Sequence, residues 1–169
     1  ITIATTSDAS AFGNLLHTMA YGASVASPTR IVSHLGTYYS STGYMEYVTI
    51  ATASNATSFG TLAERGFCGA ASSSTRGLFA GGIHFSFADI QYITIATTGS
   101  AINFGELTID RSYTGGTSNS TRAIFAGCSS GNVIDYVTIA TIGNATDFGD
   151  LTVSRDEGLV GCSDGHGGL

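Results

Sequence analysis

A chain of 169 residues with six Arg, no Lys and twelve acidic residues carries a net charge of −6, and only 11% of it is charged, against a usual quarter. The six Arg are scattered, so the clustered cations that counterion release on nucleic acid requires are missing, and nucleic-acid binding is not expected. No apolar run approaches the ~18 residues of a membrane helix, whereas 43% hydrophobic content with nine Phe and eight Tyr suffices for one domain with a core.

In chain order the sequence restates itself. ITIAT at Ile1 returns as VTIAT at Val48, ITIAT at Ile93 and VTIAT at Val137. A Phe-Gly pair follows each time, at Phe12, Phe59, Phe104 and Phe148, with spacings of 47, 45 and 44 residues. Thr-Arg marks a third phase at Arg30, Arg76 and Arg122. A fixed period of this size signals a propeller or a solenoid. Residues 1–18 read as a partial copy, 19–64, 65–110 and 111–154 as full copies, and 155–169 as another partial one, so the chain reads as one repeat domain and a fragment of a longer polypeptide.

The copy from Arg65 shows the elements. GFCGAASSS is small and apolar, and RGLFAGG is an apolar burst closed by two glycines. DIQYITIAT alternates with β-branched residues, a strand signal. TGSAIN has turn chemistry, and FGELTID is a second Phe-anchored strand. Four short strands per copy are expected, and Thr, Ile, Val, Ser and Gly disfavour helix throughout. Four antiparallel strands in 44–47 residues predict an all-β propeller of four-stranded blades, with a β-solenoid as the alternative. Phe59, Phe79, Phe104, Phe125 and Phe148 are expected to fill the gaps between blades. Gly81 and Gly82 are expected to permit close backbone approach where strands crowd the centre. A ring of only four blades would lack one strand, and an unpaired edge favours a larger ring.

The apolar strand ending Gly81-Gly82, the polar turn, and then Phe148, Leu151 and Arg155 resemble a kelch-type repeat, with Phe in the place of the kelch Trp. The wording TIATIGNATDFGDLT, RGLFAGG and IDYVTIAT resembles repeats of predicted virion and tail-fibre proteins of marine cyanobacterial phages. The resemblance implies a non-enzymatic virion structural or tail-fibre module, located on the phage particle. It would contact other virion proteins or copies of itself, and adhere to a host surface glycan or receptor. A cellular kelch-type protein-binding scaffold and a sugar-active propeller enzyme are the alternatives.

The copies differ most between the second and third strands, at SHLGTYYSSTGY, IHFSFAD and CSSGN. Such loops emerge on one propeller face, where ligands bind. Tyr38, Tyr39, His84, Phe85 and Phe87 are therefore the candidate binding residues, able to stack on sugars or meet a protein; loop aromatics folded back on their own blade are the plain alternative. His17, His34, His84 and His166 occupy four phases without metal-ligand spacing, so no metal or cofactor is expected. Cys68, Cys128 and Cys162 likewise share no phase and read as small buried residues. Arg30, Arg76 and Arg122 are expected to pair with acids such as Asp89 and Asp135, and Arg65, Arg111 and Arg155 are read the same way. No nucleophile elbow, paired-carboxylate motif, phosphate loop or Tyr-Cys-His copper set occurs. Of the glycosylation sequons at Asn55, Asn119 and Asn144, the two in the repeated NAT frame, Asn55 and Asn144, are explained by turn formation.

Overall fold

Each Thr-Arg phrase makes a hairpin. In the computed structural model, which describes residues 8–18, 20–36, 43–83, 88–128, 131–155 and 159–162, Ser27 and Ser73 accept at Oγ from the Arg30 and Arg76 amides at 3.1 and 3.2 Å. Asn119 Oδ1 does the same for Arg122 at 2.8 Å. A side-chain oxygen that bonds the backbone two or three residues on favours a turn over continued strand. The sequon at Asn119 is therefore a hairpin cap.

Twelve strands follow: β1 Ala23–Ala26, β2 Arg30–His34, β3 Gly43–Thr49, β4 Thr57–Leu62, β5 Gly69–Ser72, β6 Arg76–Ala80, β7 Asp89–Thr94, β8 Ile102–Glu106, β9 Gly115–Ser118, β10 Arg122–Cys128, β11 Gly131–Thr138 and β12 Thr146–Asp150. They form three four-stranded sheets, each with its strands in chain order, and every pairing is antiparallel. The fold is all-β. Among the described residues no helix is long and apolar enough to cross a membrane.

The Phe-Gly pair is a bulge on the fourth strand. Register shifts occur at Met45/Glu46, Ile90/Gln91 and Ile134/Asp135, opposite Phe59, Phe104 and Phe148. The extra residue turns a Phe off the ladder. Phe59 and Phe104 are thereby buried against the following sheet. The glycine is required because the next sheet's turn lies against it: a Cβ on Gly60 or Gly105 would sit 2.2 or 2.3 Å from the carbonyl oxygen of Gly99 or Gly143.

The second sheet lies between the other two. One of its faces sends Phe79 and Ile93 into a core with Val25, Val32, Met45 and Phe59. The other sends Leu78, Ile90 and Phe104 into a core with Ala123, Phe125 and Val137. Each buried Phe contributes about 1.5–3 kcal/mol relative to exposure. The sheets approach most closely at their first strands, β1 with β5 and β5 with β9. There Ser72 Oγ donates to the Ala26 carbonyl at 3.0 Å, and Ser118 Oγ donates to the Ser72 carbonyl at 2.6 Å. Residues 12–16 meet the first sheet as β4 meets the second. Ala56 N donates to Asn14 O at 2.9 Å, as Ala101 N donates to Thr61 O at 2.8 Å.

Phe148, on the last described sheet, is 53% exposed, and among the described residues no further sheet lies against it. One expectation needs correction. Gly81 and Gly82 do not relieve crowding between central strands. They lie beyond the end of β6 with φ of 68° and 110°, a left-handed backbone that favours glycine. Added Cβ atoms would meet Arg111 O at 2.6 Å and Gly66 O at 2.8 Å in the loops between sheets.

Candidate functional site

The loops that join one sheet to the next carry an aromatic two residues after a repeat boundary: Tyr21, Phe67 and Tyr113, each 46 residues from the last. All three have positive φ, 57°, 58° and 60°. Such a conformation costs about 1–3 kcal/mol for a residue with a side chain and persists only where the surroundings enforce it. Here the loops enforce one another. Phe67 N donates to Tyr21 O at 3.1 Å, and Tyr113 N donates to Phe67 O at 2.9 Å. The rings stack in a column, Tyr21 to Phe67 at 4.1 Å between centroids and Phe67 to Tyr113 at 4.2 Å. Tyr21 is half-exposed, with 53% of its surface open.

Buried arginines stand two residues before Phe67 and Tyr113 in the chain. Arg65 reaches into the second sheet, where Nη1 donates to Asp89 O at 3.0 Å and to Gly81 O at 3.2 Å, and Nη2 pairs with Asp89 Oδ2 at 2.5 Å. Arg111 repeats this in the third sheet, with Nη1 to Val133 O at 3.0 Å and Nη2 to Asp135 Oδ2 at 2.7 Å. Both side chains are buried, so their charge is satisfied by a carboxylate and carbonyls together, as a buried charge requires. Asp135 also accepts from Thr108 N and Oγ1 at 2.9 and 2.6 Å. Gln91 and Glu46 stand at its register position and accept from Ala63 N at 3.0 Å and Leu16 N at 2.8 Å. A polar residue at this point of the third strand thus clamps the end of the preceding sheet.

The expected pairing of Arg30, Arg76 and Arg122 with Asp89 and Asp135 is not what forms. Those acids take Arg65 and Arg111. Arg30, Arg76 and Arg122 lie over Tyr47, Tyr92 and Tyr136 at 4.1, 4.4 and 4.3 Å, because a planar guanidinium stacks on a ring face on its own sheet. Arg30 and Arg76 then donate across to the next sheet, to Ile95 O at 3.0 Å and Ile139 O at 2.7 Å. Arg155 is exposed.

Of the candidate binding residues, Tyr38, Tyr39, His84, Phe85 and Phe87 all lie outside the described residues. The roots of their loops are described, and they spring from the aromatic column. A Cβ on Gly36 would meet Tyr21 O at 2.4 Å. Gly82 N donates to Arg111 O and Ile83 N to Gly66 O, both at 2.9 Å. The described roots of the variable loops at Gly36, Gly82 and Ile83 and the column therefore share one end of the sheets.

Nearby titratable groups are held quiet. His34 is buried, with Nε2–H donating to Arg65 O at 2.7 Å. Burial lowers its pKa, and the bond to the Arg65 carbonyl opposes that only in part. The Cys68 thiol is pushed up to about 11 by burial, against a smaller opposing pull from Arg65, so it stays protonated and unreactive near neutral pH. Cys162, expected to be buried, is exposed. His17 lies flat on Tyr44 at 4.6 Å and places Nδ1 2.6 Å from Glu46 Oε1. Asn55 and Asn144 accept at Oδ1 from Asn14 N and Glu106 N, so these sequon residues join sheets and do not merely form turns.

The fold and site together define a stacked-sheet repeat protein with an aromatic end. Among known proteins the chain matches no family model and no curated protein.

Proposed function

We propose that the chain is part of a β-propeller that serves as a non-enzymatic adhesive module on a phage virion or tail fibre. It binds a host surface glycan at the end of the sheets that carries the Tyr21–Phe67–Tyr113 column. The column carries this reading: three aromatics in costly left-handed conformations at an exposed end are a rigid, amphipathic surface of the kind that stacks on sugar rings. Ring closure as a propeller is supported by the fan of the sheets, tightest at β1, β5 and β9. The virion assignment rests on the resemblance of the repeat wording to phage tail-fibre repeats. Weak single sites gain avidity when many copies engage one surface.

A glycan array probed with the folded chain tests the reading, with Tyr21→Ala as the variant. Tyr21 is half-exposed, so its truncation leaves the two cores intact. Binding to a bacterial surface glycan that falls about tenfold or more in Tyr21→Ala supports the site, since a stacked ring contributes roughly 1–3 kcal/mol by analogy with base stacking. Binding that is unchanged in Tyr21→Ala removes the column from the site. No binding to any glycan, with capture of a protein instead, replaces adhesion by the scaffold function.

A further inference from the structure

The clamp on the third strand is filled differently in the first sheet. In the third sheet the Asp135 carboxylate takes Arg111. Arg65 and Arg111 stand 46 residues apart, and 46 residues before Arg65 the sequence holds Met19. The first sheet's clamp carboxylate, Glu46, is 1% exposed as a side chain and takes His17, with Nδ1 2.6 Å from Oε1. Leu16 N donates to Oε2 at 2.8 Å. The His17 ring lies parallel to the Tyr44 ring, 4.6 Å between centroids and 5° between planes. A bond at one ring nitrogen and a stacked neighbour together fix its orientation. Its side chain is nevertheless 48% exposed, and Nε2 has no hydrogen-bond partner among the described residues. The position is open in complete copies too. Leu16, Ala63 and Thr108 all donate to the clamp residue, so His17 holds the place of Glu64 and Ile109. Those two follow complete sheets, yet Glu64 is only half-buried and Ile109 is exposed. His17 also stands at the column's end of the sheets. Leu35 N donates to Tyr44 O at 3.1 Å and Ala20 N to Leu35 O at 3.3 Å, so two backbone bonds join Tyr44 to the residue before Tyr21.

We propose that His17 is a hydrogen-bonding residue of the glycan site, with Nε2 accepting from a sugar hydroxyl, and that Glu46 is the positioning residue that prepares it. The inference rests on the adhesive reading above. An ionised carboxylate only accepts, so the Nδ1 that faces it holds the ring proton, and Nε2 of the neutral ring is left as an acceptor. The aromatic column offers a surface to the apolar face of a sugar. His17 adds a demand for a hydroxyl donor beside that face, and a site built to bond a hydroxyl discriminates against sugars that lack it.

Glu46→Gln tests this without removing either ring. Gln91 fills the same clamp position in the second sheet and accepts from Ala63 N through Oε1 at 3.0 Å, so the fold accommodates the amide. The amide NH2 then faces His17 Nδ1, which becomes the acceptor, and the ring proton moves to Nε2. Nitrogen-15 NMR at pH 8 should find the proton on Nδ1 in the wild-type chain and on Nε2 in Glu46→Gln. On an array of bacterial lipopolysaccharide glycans, a glycan whose binding falls in Tyr21→Ala should also bind about fivefold more weakly to Glu46→Gln, the worth of one hydrogen bond, and His17→Ala should lose as much. A wild-type proton on Nε2 overturns the proposal. So does a glycan that loses affinity in Tyr21→Ala but keeps it in Glu46→Gln and His17→Ala; the column site then stands without His17. No bound glycan, or one indifferent to Tyr21→Ala, overturns the adhesive reading at the column and this inference with it.

Discussion

Replacing Arg111 by Ala should destabilise the protein about two to three times as much as replacing Arg76, although both arginines recur with the repeat. Arg111 and Asp135 are fully buried as side chains, 2.7 Å apart, and Arg111 also donates to Val133 O at 3.0 Å. Removing the guanidinium leaves a buried carboxylate whose remaining donors belong to Thr108. Breaking a buried pair in this way costs about 3–5 kcal/mol. Arg76 is half-buried; its loss removes a cation–π contact at 4.4 Å and one hydrogen bond at 2.7 Å, together about 1–2 kcal/mol. Urea unfolding followed by far-ultraviolet circular dichroism gives both values, with slopes checked for two-state behaviour. Removing both charges, Arg111→Met with Asp135→Leu, should not restore full stability, because the Thr108 N–H then lacks its acceptor, at about 1–3 kcal/mol. An Arg76→Ala loss equal to or greater than that of Arg111→Ala would refute the ranking by burial.

Two further outcomes follow from the buried groups. The His34 pKa is lowered in the folded chain, so below the unfolded value of about 6.5 the unfolded state binds more protons. Its contribution to stability is complete above that value and is lost as pH falls toward the folded pKa. The melting temperature should therefore drop between pH 7 and pH 5, and His34→Gln should flatten that drop; an equal slope in the variant would show that other groups carry it. Iodoacetamide at pH 8 should alkylate exposed Cys162 and spare Cys68, whose thiol is buried and pushed up to about 11. Peptide mass spectrometry reads this directly, and rapid labelling of Cys68 would contradict its burial.

The site was less legible than the fold. The loops at Tyr38 and His84 drew attention because copies differ there. The column Tyr21, Phe67 and Tyr113 keeps a spacing of 46 residues, the same as Arg30, Arg76 and Arg122. That spacing was a usable signal, but the residue alternates between Tyr and Phe, and only the copies at Phe67 and Tyr113 share the frame Arg-x-aromatic-x-Gly. Positive φ at these residues has no signature in a sequence where no glycine marks it. The two sets of arginine were also indistinguishable by period alone.

The sequence by itself determined what is local: β-branched alternation made strands, Ser-x-Thr-Arg and Asn-x-Thr-Arg made hairpins, and Phe-Gly marked the bulge in each fourth strand. These features depend on backbone preferences and on hydrogen bonds within a few residues, so a short stretch of chain contains their cause. Only the tertiary structure decided which repeated residue does what. Phe104 is buried and Phe148 is exposed because, among the described residues, one has a sheet in front of it and the other does not. Arg76 is half-buried and Arg122 exposed for the same reason. Identical wording acquires different energies when the neighbour that completes it lies some 40 residues away, across an interface that no single copy contains.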